Sequence, residues 1–320
     1  MNVGVIGSGL IVNVFVENSK KVKDFNLYGI WGRHMEKIKQ HEGFKVYTTD
    51  INELLSDPNV DVVYVALPNS LHYEYAYKAL KAGKHVMVEK PFCQNYKQAK
   101  KLVDYAKKHK LFLFETIMTL HSPDYQKAMK YIDKLGEIKM IDINFSQYSR
   151  RYQKFTEGIV LPAFDYKLAG GALMDLGVYN IHYVVDAFGL PKKVEYFANI
   201  KKKVDTSGVV VLDYGKFKAS MISAKDCKAD CYALIQGDKG YIRCNTTTSR
   251  CGSFNIVLND GKTFKIEANN DEFGGWFTMY NQFIKMYKNS DYELCYKYLE
   301  YTLAVQKVLD KARASAKLVF

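Results

Sequence analysis

The chain has 320 residues, of which 48% are hydrophobic and 25% are charged. These fractions exclude a disordered or fibrous chain, and the length is sufficient for two domains. The formal net charge is +12, but the lysines are spread along the whole chain, so we expect a small-molecule substrate and no nucleic-acid partner.

The first third of the chain alternates predicted strands with predicted helices. Strands are favoured by short apolar segments at residues 3–6, 27–31, 60–67, 85–88 and 111–114. Helices are favoured by amphipathic segments at residues 73–82 and 96–109. This alternation is typical of a parallel sheet with helices on both faces, so we predict an α/β Rossmann domain at residues 1–120.

After residue 120 the pattern changes to strands separated by turns. Helices are predicted at residues 123–135 and 171–188, on either side of a strand at 138–149. Further strands are predicted at residues 193–200, 209–214, 217–223, 232–236, 241–245, 254–258 and 262–266, followed by helices at 277–288 and 292–314. We therefore predict an α+β domain at residues 121–320, with a large, mainly antiparallel open sheet.

A glycine-rich turn connects the first predicted strand to the following helix. Gly7 permits a tight turn, Gly9 permits close approach of a pyrophosphate, and the helix N-terminus binds the anion. Val12 stands where the dinucleotide-binding fingerprint has glycine or alanine. We predict that five residues of this turn bind the dinucleotide: Gly7, Ser8, Gly9, Leu10 and Ile11.

The end of the second predicted strand distinguishes between the two nicotinamide dinucleotides. The acidic residue that binds a ribose hydroxyl is absent there, and the strand is followed by Gly32 and Arg33. An arginine can pair with a 2′-phosphate, which a carboxylate would repel. We therefore predict NADP as the preferred cofactor, with NAD as the alternative. Stacking of Arg33 on the adenine, or its exposure to water, is the other interpretation.

Two further segments carry polar residues in positions typical of an active site. Glu89 and Lys90 follow a predicted strand at the carboxyl edge of the sheet, where α/β folds bind ligands, and an ammonium group there could polarise a hydroxyl. Asp175, Tyr179 and His182 are spaced one turn apart on a predicted helix. These three residues fit either a proton-handling site or a polar stripe hydrogen-bonded within the core.

Together these motifs resemble the Gfo/Idh/MocA oxidoreductases, named after glucose–fructose oxidoreductase and inositol dehydrogenase. The resemblance rests on four motifs in order: Gly7-Ser8-Gly9, Pro68-Asn69-Ser70-Leu71-His72, Glu89-Lys90-Pro91, and Gly170-Gly171 through His182. It implies an NAD(P)-dependent dehydrogenase or reductase acting on CH–OH groups, a cis Lys90–Pro91 bond and a homodimer, or a dimer of dimers, formed through the C-terminal sheet. Beyond the glycine turn, the expected cofactor-binding residues are Gly32, Arg33, Leu67, Pro68, Asn69, His72, Glu89 and Lys90.

The resemblance also implies the catalytic group. Tyr179 would exchange the substrate hydroxyl proton, assisted by the positive charge of Lys90, and Asp175 would orient the substrate or Lys90. Contact with the substrate is expected from Lys90, Asp175, Tyr179 and His182. A tyrosine at position 179 resembles trans-dihydrodiol dehydrogenases and glucose–fructose oxidoreductase, whereas the inositol dehydrogenase branch has histidine there. A sugar, polyol or dihydrodiol-like substrate is therefore expected, and an inositol-type site is disfavoured.

Two other functions are compatible with the same fold. One is a dinucleotide-sensing regulator without turnover, and the other is an NAD-using glycosidase. The six cysteines show no C-x-x-C spacing, so we expect reduced thiols and no metal site. No apolar segment approaches the roughly 18 residues of a membrane span, and the chain starts with a predicted strand in place of a signal peptide, so a cytoplasmic protein is expected.

Overall fold

The computed structural model describes residues 1–268 and 275–318, which form two compact units. The first unit consists of Met1–Thr116 and Trp276–Leu303, and the second of Ile117–Gly275 and Ala304–Phe320. The segment Trp276–Leu303 groups with the first unit because its residues Leu299 and Leu303 are buried in that unit's hydrophobic core.

The first unit contains a six-stranded sheet in which every strand pair is parallel. Its strands are β1 (Asn2–Ile6), β2 (Asn26–Trp31), β3 (Val46–Thr48), β4 (Val62–Val65), β5 (His85–Glu89) and β6 (Leu113–Thr116). Its helices are α1 (Leu10–Ser19), α2 (Met35–Ile38), α3 (Ile51–Ser56), α4 (His72–Lys81), α5 (Tyr96–Lys108), α9 (Trp276–Lys288) and the first part of α10 (Tyr292–Ser315). The predicted α/β class is thereby confirmed.

The strand order of this sheet is β3-β2-β1-β4-β5-β6, so the order reverses between β1 and β4. Every residue of β4 is fully buried, as expected for a central parallel strand covered on both faces. In such sheets, ligands bind outside the carboxyl ends of the strands at the point of reversal. The turns after β1, β4 and β5 lie at that edge.

The second unit contains an eight-stranded sheet in the order β14-β13-β12-β11-β7-β10-β9-β8. Its strands are β7 (Ile138–Ser146), β8 (Lys193–Lys201), β9 (Val204–Asp213), β10 (Lys218–Ala224), β11 (Tyr232–Gly237), β12 (Gly240–Cys244), β13 (Phe254–Leu258) and β14 (Thr263–Ile266). Its helices are α6 (Pro123–Met129), α7 (Tyr152–Thr156) and α8 (Val178–Phe188). The described pairs are antiparallel except β7 with β10, so the predicted α+β class with a mainly antiparallel sheet is confirmed.

The two faces of this second sheet differ in burial. On β7, Ile141 and Ile143 are fully buried, whereas the neighbouring Met140 is exposed on the other face. Because successive side chains of a strand point to opposite faces, the buried apolar residues of neighbouring strands lie together on one face. The opposite face carries exposed apolar side chains, among them Phe197 and Tyr241.

Two predicted helices differ from the structure. The helix predicted at residues 123–135 ends at Met129 and is followed by a separate 3₁₀ turn at Ile132–Leu135. The helix predicted at residues 171–188 begins instead with a π-helical turn, Leu173–Gly177, and becomes an α-helix only at Val178. Asp175 and Tyr179 therefore lie on either side of the junction between a π turn and an α-helix, and not on one regular α-helix. Strand β3 was not predicted, since it has only three residues.

Candidate active site

The two glycines of the turn after β1 have different roles: the backbone requires Gly7, whereas Gly9 borders open space. Gly7 has φ +138°, and a Cβ atom there would lie 2.3 Å from the carbonyl oxygen of Ala66. A Cβ atom on Gly9 would meet no atom within 4 Å. Gly7 is therefore required by the turn itself, whereas the space beside Gly9 suits a ligand that approaches the backbone.

Helix α1 starts directly after this turn, and the predicted residues lie around its first turn. Gly9 is the N-cap and provides no capping side chain, so the first N–H groups of α1 are available to an anion. Leu10 is 70% exposed, whereas Val12 is fully buried. Val12 therefore packs into the interior, and the departure from the fingerprint does not disrupt the strand–turn–helix unit.

Arg33 follows β2 at the carboxyl edge of the sheet and is exposed. Within residues 1–268 and 275–318, no carboxylate forms an ion pair with it. Gly32 packs closely, since a Cβ atom there would lie 2.5 Å from Ile38 and 3.8 Å from the Ser8 hydroxyl. The guanidinium of Arg33 is thus available at the same edge as the glycine turn.

The His72 ring connects two loops and does not face solvent. It is fully buried, with Nδ1 2.9 Å from the carbonyl oxygen of Pro91 and Nε2 2.8 Å from that of Leu67. Burial lowers the pKa of His72, while the two carbonyl acceptors raise it. His72 therefore holds the loop with Pro68 and Asn69 against the turn at Pro91.

The Glu89-Lys90-Pro91 turn is fixed by buried hydrogen bonds. The Lys90–Pro91 peptide bond is cis, which confirms what the family resemblance implied. The Glu89 carboxylate accepts hydrogen bonds from the hydroxyls of Tyr64 and Thr116, the latter at 2.8 Å, and from the Lys90 backbone N–H at 3.2 Å. Burial raises the pKa of Glu89. Glu89 thus holds the backbone that presents Lys90, whose side chain is partly exposed.

A second buried carboxylate, which the sequence analysis missed, supports the same turn. Glu115 accepts hydrogen bonds from the Phe92 backbone N–H at 3.1 Å and from the Thr302 hydroxyl at 2.9 Å. It lies on β6 next to β5, so its position at the turn follows from strand pairing. The sequence offered only a weak signal, an acidic residue within an apolar strand.

In the second unit, Asp175 lies on the π-helical turn and Tyr179 in the first turn of α8. The Tyr179 ring is packed 6.1 Å from that of Phe145 on β7, and its side chain remains 9% exposed. Asp175 is partly exposed. The π turn therefore presents a carboxylate and a phenol from adjacent turns, a feature common at functional sites.

The carboxylate of Asp175 is paired with a lysine that the sequence analysis did not identify. Lys225, at the end of β10, is only 3% exposed, and its Nζ lies 2.8 Å from Oδ2 of Asp175. The ammonium also donates to the carbonyl oxygen of Ala163 at 2.9 Å and lies 4.6 Å from the centre of the Phe164 ring. A lysine directly after an apolar strand was the only sequence signal for this pair.

A buried aspartate holds the start of the π turn. Asp205 accepts hydrogen bonds from the Leu173 backbone N–H at 2.6 Å and from the Tyr196 hydroxyl at 2.8 Å. Burial raises its pKa to about 6. Gly171 has φ +122°, and a Cβ atom there would lie 2.0 Å from Oδ1 of Asp205. The glycine of the motif is therefore required for the carboxylate to reach the helix.

His182 lies in the interior of the second unit. It is fully buried near His121, whose pKa is lowered to about 4 by burial and by the neighbouring His182. On the same helix, Asn180 donates to the carbonyl oxygen of Ile222 at 3.0 Å and accepts from the Thr248 hydroxyl at 2.7 Å. Two polar side chains of α8, His182 and Asn180, are therefore buried in the core of the second unit.

Residues 1–268 and 275–318 contain no cluster of three or more histidine, cysteine, aspartate or glutamate residues that could hold a metal ion. All six cysteines lie there as thiols outside any disulfide, and four of them are buried. No described helix has the length and apolar character needed to cross a membrane.

Comparison with known proteins identifies the family. Residues 1–116 match the Gfo/Idh/MocA oxidoreductase family, NAD-binding Rossmann fold, and residues 125–243 match the Gfo/Idh/MocA C-terminal domain. The chain is 32% identical to the scyllo-inositol 2-dehydrogenase (NADP(+)) of Bacillus subtilis, over 99% of this chain and 97% of that protein. It is 29% identical to the trans-1,2-dihydrobenzene-1,2-diol dehydrogenase of Xenopus tropicalis, over 75% of this chain and 74% of that protein.

The fold is shared with a solved structure. The crystal structure of a 3-ketoreductase from Actinomadura kijaniata in complex with NADP superimposes with a TM-score of 0.81 at 22% identity, over 98% of this chain and 97% of that chain. The strand order, the glycine turn, the cis-prolyl turn and the sequence matches agree with one another. The chain belongs to the Gfo/Idh/MocA family of oxidoreductases, with an NAD-binding Rossmann domain.

Proposed function

We propose that this chain is an NADP-dependent dehydrogenase that acts on a secondary alcohol, or the corresponding carbonyl, of a polyhydroxy substrate. The observation that carries the proposal is the Asp175–Lys225 pair beside Tyr179, since a carboxylate held by a buried cation next to a phenol suits the orientation and deprotonation of a hydroxyl. Substrates are proposed among sugars, cyclic polyols and dihydrodiol-like compounds, by analogy with the two dehydrogenases named above.

Inositols belong to this set of substrates. Tyr179 led us to disfavour an inositol-type site, because the inositol branch of the family has histidine at that position. Similarity to a scyllo-inositol 2-dehydrogenase over 99% of the chain argues in the opposite direction. We therefore give cyclic polyols the same standing as sugars and dihydrodiols.

The residues of the first unit fit a phosphorylated dinucleotide. Gly9 leaves open space for a pyrophosphate at the start of α1, and the exposed guanidinium of Arg33 has the charge and shape to bind a 2′-phosphate. When bound, the nicotinamide accepts or supplies the hydride. Glu89 and His72 serve this site indirectly, because both are buried and hold the backbone on either side of Lys90.

Proton transfer is assigned to the second unit. Tyr179 removes the proton of the substrate hydroxyl during oxidation and returns it during reduction. Unperturbed phenols titrate near pH 10, so positive charge is needed for this role at neutral pH, and we propose that Lys90 provides it while polarising the substrate oxygen. Asp175 accepts a hydrogen bond from a substrate hydroxyl, and Lys225 holds its carboxylate.

His182 is not part of this proposal. Its side chain is fully buried within the second unit, beside His121, so we assign it to the packing of α8 and not to substrate contact. The catalytic group proposed from the motifs thus consists of Lys90, Asp175 and Tyr179, with Lys225 as a positioning residue.

We also propose a homodimer formed through the exposed face of the second sheet. Phe197, Met140 and Tyr241 on three strands leave apolar side chains on that face, and Phe197 is 67% exposed. Light scattering of the wild type is expected to give a dimer, and Phe197→Glu is expected to give monomers. A wild-type monomer would contradict the proposal.

The direct test of the function is the change in nicotinamide absorbance with NADPH and NADP⁺ against a panel of aldoses, inositols, inososes and dihydrodiols. Turnover of at least one member is expected. Lys90→Met should reduce turnover by roughly 100-fold, within the range for loss of acid–base assistance, while NADPH still binds. Near-normal turnover by Lys90→Met would remove Lys90 from the mechanism.

A further inference from the structure

A pocket of about 640 Å³ lies in the second unit, at the carboxyl ends of β7, β10 and β12. Three loops that follow these strands line it. Among the lining residues are Phe145, Gln147, Tyr148, Lys228, Asn245 and Arg250. A volume of this size is within the range of sites for small-molecule ligands.

The charge of this pocket has one sign. Lys228 and Arg250 contribute two cations, both exposed, and none of the described lining residues is acidic. Neither cation has an ion pair within the part of the chain that the structure describes. Two carboxylates lie on the same loop as Lys228, and neither lines the pocket: Asp226 accepts hydrogen bonds from the hydroxyls of Thr206 and Ser207 on β9, and Asp230 is exposed.

The remaining lining groups are suited to a polyhydroxy ligand. Amide side chains at Gln147 and Asn245 and several serine and threonine hydroxyls can donate or accept hydrogen bonds. The Tyr148 ring, which is 48% exposed, offers a flat apolar surface. An arginine and a lysine beside such groups favour an oxygen-rich anion, because the guanidinium binds phosphate or carboxylate through two parallel hydrogen bonds.

The pocket adjoins the proposed proton-transfer residue. Phe145 lines the pocket, and its ring packs 6.1 Å from the ring of Tyr179. We propose that this pocket binds an anionic group, a phosphate or a carboxylate, of the polyhydroxy substrate whose hydroxyl faces Tyr179. This inference rests on the proposed function and specifies its substrate class.

The test compares matched anionic and neutral ligands on the NADP-loaded protein. Calorimetric titrations would use glucose, glucose 6-phosphate and glucuronate, and in parallel myo-inositol and myo-inositol 1-phosphate. At least one anionic member should bind about tenfold or more tightly than its neutral parent, as expected for charge-assisted hydrogen bonds. The phosphate and carboxylate arms show which anion is preferred.

The variant Lys228→Ala/Arg250→Ala should abolish that preference and leave NADPH binding unchanged. Lys216→Ala is the matched control, since Lys216 is exposed and lies before β10, at the end of the strand opposite the pocket. The control should keep the preference. A preference that persists in the double variant, or no binding by any anionic member, would overturn the proposal. Equal kcat/KM for an anionic substrate in wild type and double variant would also overturn it, while leaving the dehydrogenase function intact.

Discussion

The pairing of Asp175 with Lys225 yields a quantitative prediction, because the two partners differ in burial. Lys225 is 3% exposed and Asp175 is 39% exposed. Asp175→Asn removes the ion-pair partner of a buried ammonium, which keeps the Ala163 carbonyl, the Phe164 ring and the electrostatic attraction of Asp205, whereas Lys225→Met leaves a carboxylate that water can reach. We therefore expect Asp175→Asn to destabilise the protein more than Lys225→Met.

The size of the effect follows from the separation of 2.8 Å. Coulomb attraction at that distance is about 6 kcal/mol for an effective dielectric constant near 20, and the exposure of Asp175 reduces it. Removing one partner of a buried pair costs about 3–5 kcal/mol, which we expect for Asp175→Asn, and roughly half of that for Lys225→Met. In a double-mutant cycle the coupling energy should be about 2 kcal/mol.

Urea unfolding followed by circular dichroism measures these free energies. The control cycle uses Lys218 on β10 and Asp213 on the neighbouring strand β9, an ion pair at 2.9 Å whose side chains are 45% and 32% exposed. A surface pair of this kind should show a coupling of about 0–1 kcal/mol. Equal costs for Asp175→Asn and Lys225→Met, or a coupling no larger than the control, would refute the reasoning.

The same variants test the positioning role of Lys225. Loss of the charge-assisted hydrogen bond that holds Asp175 should lower kcat/KM by roughly 10- to 100-fold in Lys225→Met, with partial rescue in Lys225→Arg. A purely structural role predicts the same loss of stability but unchanged kcat/KM in the fraction that remains folded.

Three further predictions concern the cofactor site and pH. Arg33→Ala should weaken NADPH binding by roughly 10- to 100-fold and leave NADH binding unchanged in fluorescence titrations, and equal effects on both would contradict a 2′-phosphate site. Gly9→Ala should fold like the wild type but bind NADPH about tenfold or more weakly, since its Cβ would occupy the space proposed for the pyrophosphate. Gly7→Ala should destabilise the protein, because its Cβ would lie 2.3 Å from the carbonyl oxygen of Ala66. Burial raises the pKa of Asp205 from 3.8 to about 6, so between these pH values the native state retains a proton that the unfolded chain loses. The free energy of unfolding should therefore fall by up to about 3 kcal/mol as the pH rises from about 4 to above 6. Asp205→Asn should remove that slope, and an unchanged slope would contradict the assignment.

The arrangement of residues 1–116 could largely be predicted from the sequence, apart from the short strand β3. Its strands alternate with helices, and the glycine turn and the Glu89-Lys90-Pro91 turn are contiguous motifs whose position at the sheet edge follows from strand order. The roles of Glu89 and His72 could not be predicted, because their partners, such as Tyr64, come from other strands or loops. Both residues were expected at the cofactor, and both are buried in support of the turn.

The site in the second unit depends on contacts that are distant in sequence. Lys225, directly after β10, is paired with Asp175 on the π turn, and Asp205 reaches the start of that turn from β9. Regular helical spacing concealed the π turn, at whose start Gly171 leaves room for the Asp205 carboxylate to accept from the Leu173 backbone N–H. Local periodicity contains no information on such contacts, since they are set by strand pairing and by the burial of charge.

The most direct test of the proposed function is NADPH oxidation, measured by the loss of absorbance, in wild type and Tyr179→Phe against inososes and other polyhydroxy ketones. The proposal predicts turnover in the wild type and its near-complete loss in Tyr179→Phe, with NADPH binding unchanged. Turnover of Tyr179→Phe at the wild-type rate, or tight NADPH binding without turnover of any substrate, would contradict it.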